Sequence, residues 1–105
     1  MSAARKVLPA RRPHEVIDFE LMGRRYVAGV GRGGDGEVFE VFLNGGKSGS
    51  DADVNARDGA IALSLLLQFG CPLDTIRRAL TRNPDGSAAG PIGELLDILA
   101  KEDGE

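Results

Sequence analysis

Between Leu43 and Asp51 the hydrophobic pattern of this chain changes period. Before that point apolar residues alternate with polar ones, as in strands with one buried face. After it they recur at helical spacing. A change of this kind segregates strands from helices and argues for α+β organisation rather than a parallel sheet with crossover helices. Ile17, Phe19 and Leu21 share one face of a first strand, with Asp18 and Glu20 on the other. Gly23-Arg24 offers a tight turn into a second strand, Arg25 to Val30, with Tyr26, Ala28 and Val30 on one side. Gly31 to Gly36 is a turn cluster whose Asp-Gly pair is a hairpin signal. Glu37 to Leu43 follows as a third strand, with Phe39, Val41 and Leu43 together. Short turns between consecutive strands predict an antiparallel three-stranded meander.

The helical half has its own punctuation. Ser50 or Asp51 is suited to cap a helix, and Asp51 and Asp53 put negative charge in its first turn. That helix is expected to run to about Phe69 and stop at Gly70, ahead of Pro72. Leu73, Ile76, Ala79 and Leu80 mark a short second helix, with Arg77 and Arg78 directed elsewhere. Asn83 to Ser87 is a break. Gly90-Pro91 opens a third helix with the stripe Ile92, Leu95, Leu96 and Leu99. The expected fold is therefore an antiparallel three-stranded β-meander followed by three α-helices packed on it. Residues 1–12 read as a basic flexible tail, 13–100 as one α+β domain and 101–105 as a polar, frayed end.

The chain has 105 residues, enough for one domain with a modest core. At 42% apolar it is not a disordered chain. With 5% aromatics and no Trp, the core must rest on Leu, Val, Ile and Ala. The net charge of −3 argues against a nucleic-acid binder, despite Arg24, Arg25 and Arg32 around the hairpin ends. The single cysteine, Cys71, excludes an intramolecular disulfide and is expected as a small buried thiol. The basic start lacks the apolar run of a secretory signal, and no segment has the length of a membrane helix, so the expected location is cytoplasmic.

The candidate site is the glycine-rich turn Gly45, Gly46, Lys47, Ser48, Gly49 and Ser50. A backbone leaving a strand and entering a helix presents free N–H groups, and the helix dipole favours an anion there. Lys47 adds an ammonium group. The turn is not a P-loop, since that motif needs Gly at position 41, where this chain has Val. Two readings stay open. In one, backbone N–H groups of Ser48 to Ser50 and Lys47 hold a nucleotide phosphate. In the other the glycines only make a tight turn and Lys47 pairs with an acid or lies along the surface. Asp51 and Asp53 count against the anion.

Two other features bear on partners. Ala60 to Phe69 holds Ile61, Leu63, Leu65, Leu66, Leu67 and Phe69, more apolar surface than one face can hide. Other helices or a second copy in a homodimer are expected to cover it. Ser64 and Gln68, one turn apart, are expected to hydrogen-bond within the core or across a subunit contact. Glu37 and Glu40 lie on opposite strand faces and make no carboxylate pair.

The combination Glu40-Val-Phe-Leu, Gly46-Lys47-x-Gly49-Ser50, Ser64-Leu, Gln68-x-Gly70-x-Pro72-Leu73 and Ile76-x-x-Ala79-Leu80 resembles the TSCPD domain. That domain occurs near the C-terminus of cobalamin-dependent (class II) ribonucleotide reductases and as small free-standing proteins. The resemblance spans roughly residues 14–99. It implies a relation to deoxynucleotide synthesis, with the reductase or a nucleotide as partner. It implies no activity of the chain alone and no cofactor in it, cobalamin belonging to the full-length reductases. The Thr-Ser-Cys-Pro-Asp sequence that names the domain is not present, nor are paired cysteines.

Overall fold

The computed structural model describes residues 4–5 and 14–104. The basic tail expected at 1–12 lies outside the described residues, apart from Ala4 and Arg5. The element order is β1 (His14–Leu21), β2 (Arg24–Arg32), β3 (Val38–Gly45), α1 (Asp51–Gln68), α2 (Leu73–Ala79) and α3 (Pro91–Glu102). The strands form one antiparallel sheet in the order β1-β2-β3. The α+β meander read from the period change is the fold found.

Tyr26, Ala28 and Val30 of β2, and Phe39, Val41 and Leu43 of β3, point into the core. Ile17, Phe19 and Leu21 of β1 share that face but are only partly buried, because β1 is an edge strand. Ala56, Ala60, Leu63 and Leu67 supply the inner face of α1. Leu95, Leu96 and Leu99 of α3 are fully buried. Each such leucine contributes roughly 1.5–3 kcal/mol by leaving water.

Three boundaries differ from the sequence reading. The first turn is Met22-Gly23, not Gly23-Arg24; Leu21 pairs with Arg24 and both turn residues have positive φ, 52° and 76°. Two left-handed residues match the twist of a two-residue hairpin, and that fit places Met22 in a conformation it seldom adopts. Gly31 and Arg32 belong to β2 rather than the loop, with a register shift between them. The loop itself is closed by the Gly33 N–H donating to Glu37 O at 2.8 Å. At the other end, α3 continues through Lys101 and Glu102, where fraying was expected.

Ser50 is the N-cap of α1. The helix ends with paired reverse bonds, Gly70 N–H to Leu67 O and Cys71 N–H to Leu66 O. That is the Schellman arrangement, and it turns the chain toward Pro72 and α2. Cys71 is partly exposed, not buried as expected, because this reversal leaves it on a surface cleft.

An ion-pair cluster joins α2 to α3. Arg82 donates to both oxygens of Asp97, at 2.6 and 2.7 Å, and Arg77 reaches Asp97 and Asp74. The Arg82 hydrogen bonds, above all, hold the Asp97 carboxyl below its ordinary range. A depressed carboxylate stabilises the fold above its unfolded pKa, and that contribution is lost as pH falls through the folded one. Asp97→Asn is therefore expected to flatten the loss of stability in acid, below about pH 4, when urea midpoints are compared across pH.

Candidate functional site

The glycine turn leaves β3 at Gly45 and enters α1 at Ser50. Gly46 and Gly49 both take positive φ, 69° and 80°, which lets the chain reverse within five residues. A side chain at Gly45 would run into the ring of Tyr26. Lys47, Ser48 and Gly49 are exposed, and among the described residues Lys47 makes no ion pair.

The N–H groups of Gly45, Gly46, Gly49 and Ser50 are engaged within the protein. Asp53, one of the few buried charged residues, accepts from Gly45 N at 3.3 Å through Oδ1 and from Gly49 N at 3.2 Å through Oδ2. Its own N–H donates to Ser50 Oγ at 3.3 Å. Ser50 N–H donates to Lys47 O, and Gly46 N–H faces Arg25 O at 3.4 Å. Ser50 thus caps the helix through its hydroxyl, while the Asp53 carboxylate reaches back past the cap to the backbone of Gly49 and Gly45. The carboxylate sits where an external anion would meet the turn. The spacing Ser50-x-x-Asp53 carried a signal for this arrangement, but the sequence reading took Asp53 only as negative charge in the first turn of the helix.

Ser64 and Gln68 do more than satisfy themselves. Ser64 Oγ accepts from Val41 N at 2.9 Å and donates to Val41 O at 3.1 Å. Gln68 Nε2 donates to Phe39 O at 3.2 Å. With Asp53 on Gly45, side chains of α1 occupy backbone positions along the outer edge of β3, as a fourth strand would. Gln68 Oε1 in turn accepts from Arg5 Nε at 2.6 Å.

Beside this seam lies a groove of about 490 Å³, lined by Arg5, Phe42, Leu43, Ile61, Ser64 and Leu65 among others. The helices do not cover the apolar surplus of α1, as one outcome of the sequence reading allowed. Val54, Ile61, Leu65 and Leu66 remain exposed, Ile61 at 59%, and Phe42 faces solvent across the groove at 54%. None of residues 45–50 lines this groove.

Other charged residues are held internally. Glu40 is buried on the outer sheet face, with Oε1 at 3.2 Å from His14 Nε2, and His14 stacks on Phe42. Arg32 is not a free member of a basic rim; it lies within ion-pair range of Glu15, Glu102 and Asp103. No group of His, Cys, Asp and Glu suited to a metal ion occurs among the described residues.

The chain matches the TSCPD domain over residues 6–102, nearly its whole length. It belongs to the TSCPD domain family. A relative of this TSCPD domain is the vitamin B12-dependent ribonucleotide reductase of Agrobacterium fabrum (strain C58 / ATCC 33970), 33% identical over 81 residues. Those residues are 77% of this chain and 6% of the reductase. This TSCPD domain therefore corresponds to a small part of that enzyme. No solved structure matches it. No helix among the described residues is long and apolar enough to cross a membrane.

Proposed function

We propose that this TSCPD domain is a non-catalytic accessory domain in deoxynucleotide synthesis that acts by contact with a ribonucleotide reductase in the cytoplasm. The observation that carries this reading is the exposed apolar surface of α1 and Phe42, Ile61 and Leu65 facing each other across a groove. Contiguous exposed apolar surface marks contact sites on proteins. The family and the reductase relative supply the class of partner. Ribonucleotide reduction and its B12 cofactor stay with the reductase; we assign no cofactor to this chain.

A nucleotide phosphate on the Gly45–Ser50 turn is the second reading. Lys47, exposed and without an ion pair among the described residues, favours it. Asp53 weighs against it, since its carboxylate holds the Gly45 and Gly49 donors and would repel the phosphate. A homodimer through the same α1 surface is the outcome expected if no reductase contact exists.

Sedimentation velocity of the chain mixed with the A. fabrum reductase tests the proposal. The wild-type chain is expected to co-sediment. Ile61→Glu with Leu65→Glu is expected to weaken the contact by at least about tenfold, since each exposed apolar anchor lost at a contact costs on the order of 1–2 kcal/mol. Both positions are exposed, so the variant should keep its secondary structure. Self-association of the wild type alone, abolished by the same pair, would favour the homodimer.

A further inference from the structure

The two edges of the sheet are treated differently. On β3 the outward backbone groups of Phe39, Val41 and Gly45 are engaged by Gln68, Ser64 and Asp53. On β1 they are not. The Leu21–Arg24 pair closes a two-residue hairpin and is therefore a hydrogen-bonded pair. Alternation then turns the backbone groups of Ile17 and Phe19 toward β2 and those of Val16, Asp18 and Glu20 away from the sheet. Among the described residues nothing bonds these outward groups. The side chains tell the same story. Ile17, Phe19 and Leu21 are only partly buried, while Tyr26, Ala28 and Val30 next to them on β2 are 6%, 0% and 0% exposed.

The charged residues of this edge strand, His14 aside, are acidic: Asp18 and Glu20 are exposed on the outer face, Glu20 opposite Arg25 of β2, and Glu15 lies on the inner face beside Arg32 and Glu102. Burial first, and the neighbouring Glu15 second, push the Glu102 carboxyl above its ordinary range, against the pull of Arg32.

We propose that the free edge of β1 accepts an added strand from a basic polypeptide in which apolar residues alternate with Lys or Arg. Main-chain bonds to Val16, Asp18 and Glu20 hold the strand. Its apolar residues extend the inner face beside Ile17 and Phe19, and its cations meet Asp18 and Glu20. This is strand addition, in which the backbone gives affinity and alternate side chains give specificity. A second copy of β1 fits less well, because it brings another Glu15, Asp18 and Glu20 to a strip that is already acidic, in a chain of net charge −3. The site is separate from the α1 surface and stands whether or not that surface meets a reductase.

The test uses the whole chain and two short peptides, one alternating Lys with Val and one alternating Glu with Val. Amide hydrogen exchange is read at Val16, Asp18 and Glu20. The Lys–Val peptide is expected to slow exchange there by about tenfold or more, and the Glu–Val peptide is not. Asp18→Lys with Glu20→Lys is expected to reverse the preference; unchanged protection at Ala28 and Val30 reports that the variant is folded. Equal protection by both peptides, or none from the Lys–Val peptide at millimolar levels, overturns the proposal. Protection that needs no peptide and grows with protein concentration also overturns it, by giving the edge to a second copy.

Discussion

Replacing Asp53 by Ala is expected to lower the unfolding free energy by roughly 2–4 kcal/mol, read from urea denaturation. The carboxylate is buried and bonds the backbone of both the last residue of β3 and the turn before α1. Removing it leaves the buried N–H of Gly45 without its acceptor, while the N–H of exposed Gly49 turns to water. A buried donor without an acceptor costs about 1–3 kcal/mol, more when the lost partner was charged. Asp53→Asn separates the two bonds. The amide keeps one acceptor oxygen for the buried Gly45 N–H and replaces the other by a donor at exposed Gly49, so a smaller loss than in the Ala variant is expected. Were both variants neutral, the turn would hold itself and its donors would be open to an external anion.

Leu96→Ala is expected to cost about 2–5 kcal/mol, the range for deleting a buried leucine in a core that collapses only in part. Leu96 is fully buried on α3, between neighbours Leu95 and Leu99 that are also fully buried. The comparison variant is Leu66→Ala. Leu66 is 41% exposed on the outer face of α1, and its loss should cost no more than about 1 kcal/mol. Two leucines of the helical layer then differ in consequence because of the direction each faces. A large effect at Leu66 in the isolated chain would mean that this face is already buried in solution, as between two copies.

The fold was legible because alternation and helical spacing are local. Ile17, Phe19 and Leu21, or Leu95, Leu96 and Leu99, report their face without knowledge of what packs there. Boundaries set by a partner strand were not. Gly23-Arg24 looked like the first turn, and only the Leu21–Arg24 pairing makes Met22 a turn residue and Arg24 a strand residue. Arg32 looked like part of an exposed basic rim, and its ion pairs with Glu102 and Asp103 depend on where α3 ends. The glycine turn was legible as a reversal, and Ser50 as a cap. The engagement of its Gly45 and Gly49 donors by Asp53 was not, because it depends on the outer edge of β3 facing the first turn of α1. Ser64 and Gln68 were recognised as polar residues needing partners. That the partners are the backbone of a sheet edge follows from the path of α1 along β3.

We propose that this domain works through the apolar face of α1 and not through the glycine turn. One NMR experiment sets the two against each other, following methyl signals of Ile61, Leu65 and Leu66 together with amide signals of Gly45 to Ser50. Reductase is added first, then ATP at millimolar levels. The methyl signals are expected to shift or broaden with reductase, and the turn amides to stay in place with ATP. Saturable ATP shifts at the turn that vanish in Lys47→Ala, with methyl signals indifferent to the reductase, would contradict it.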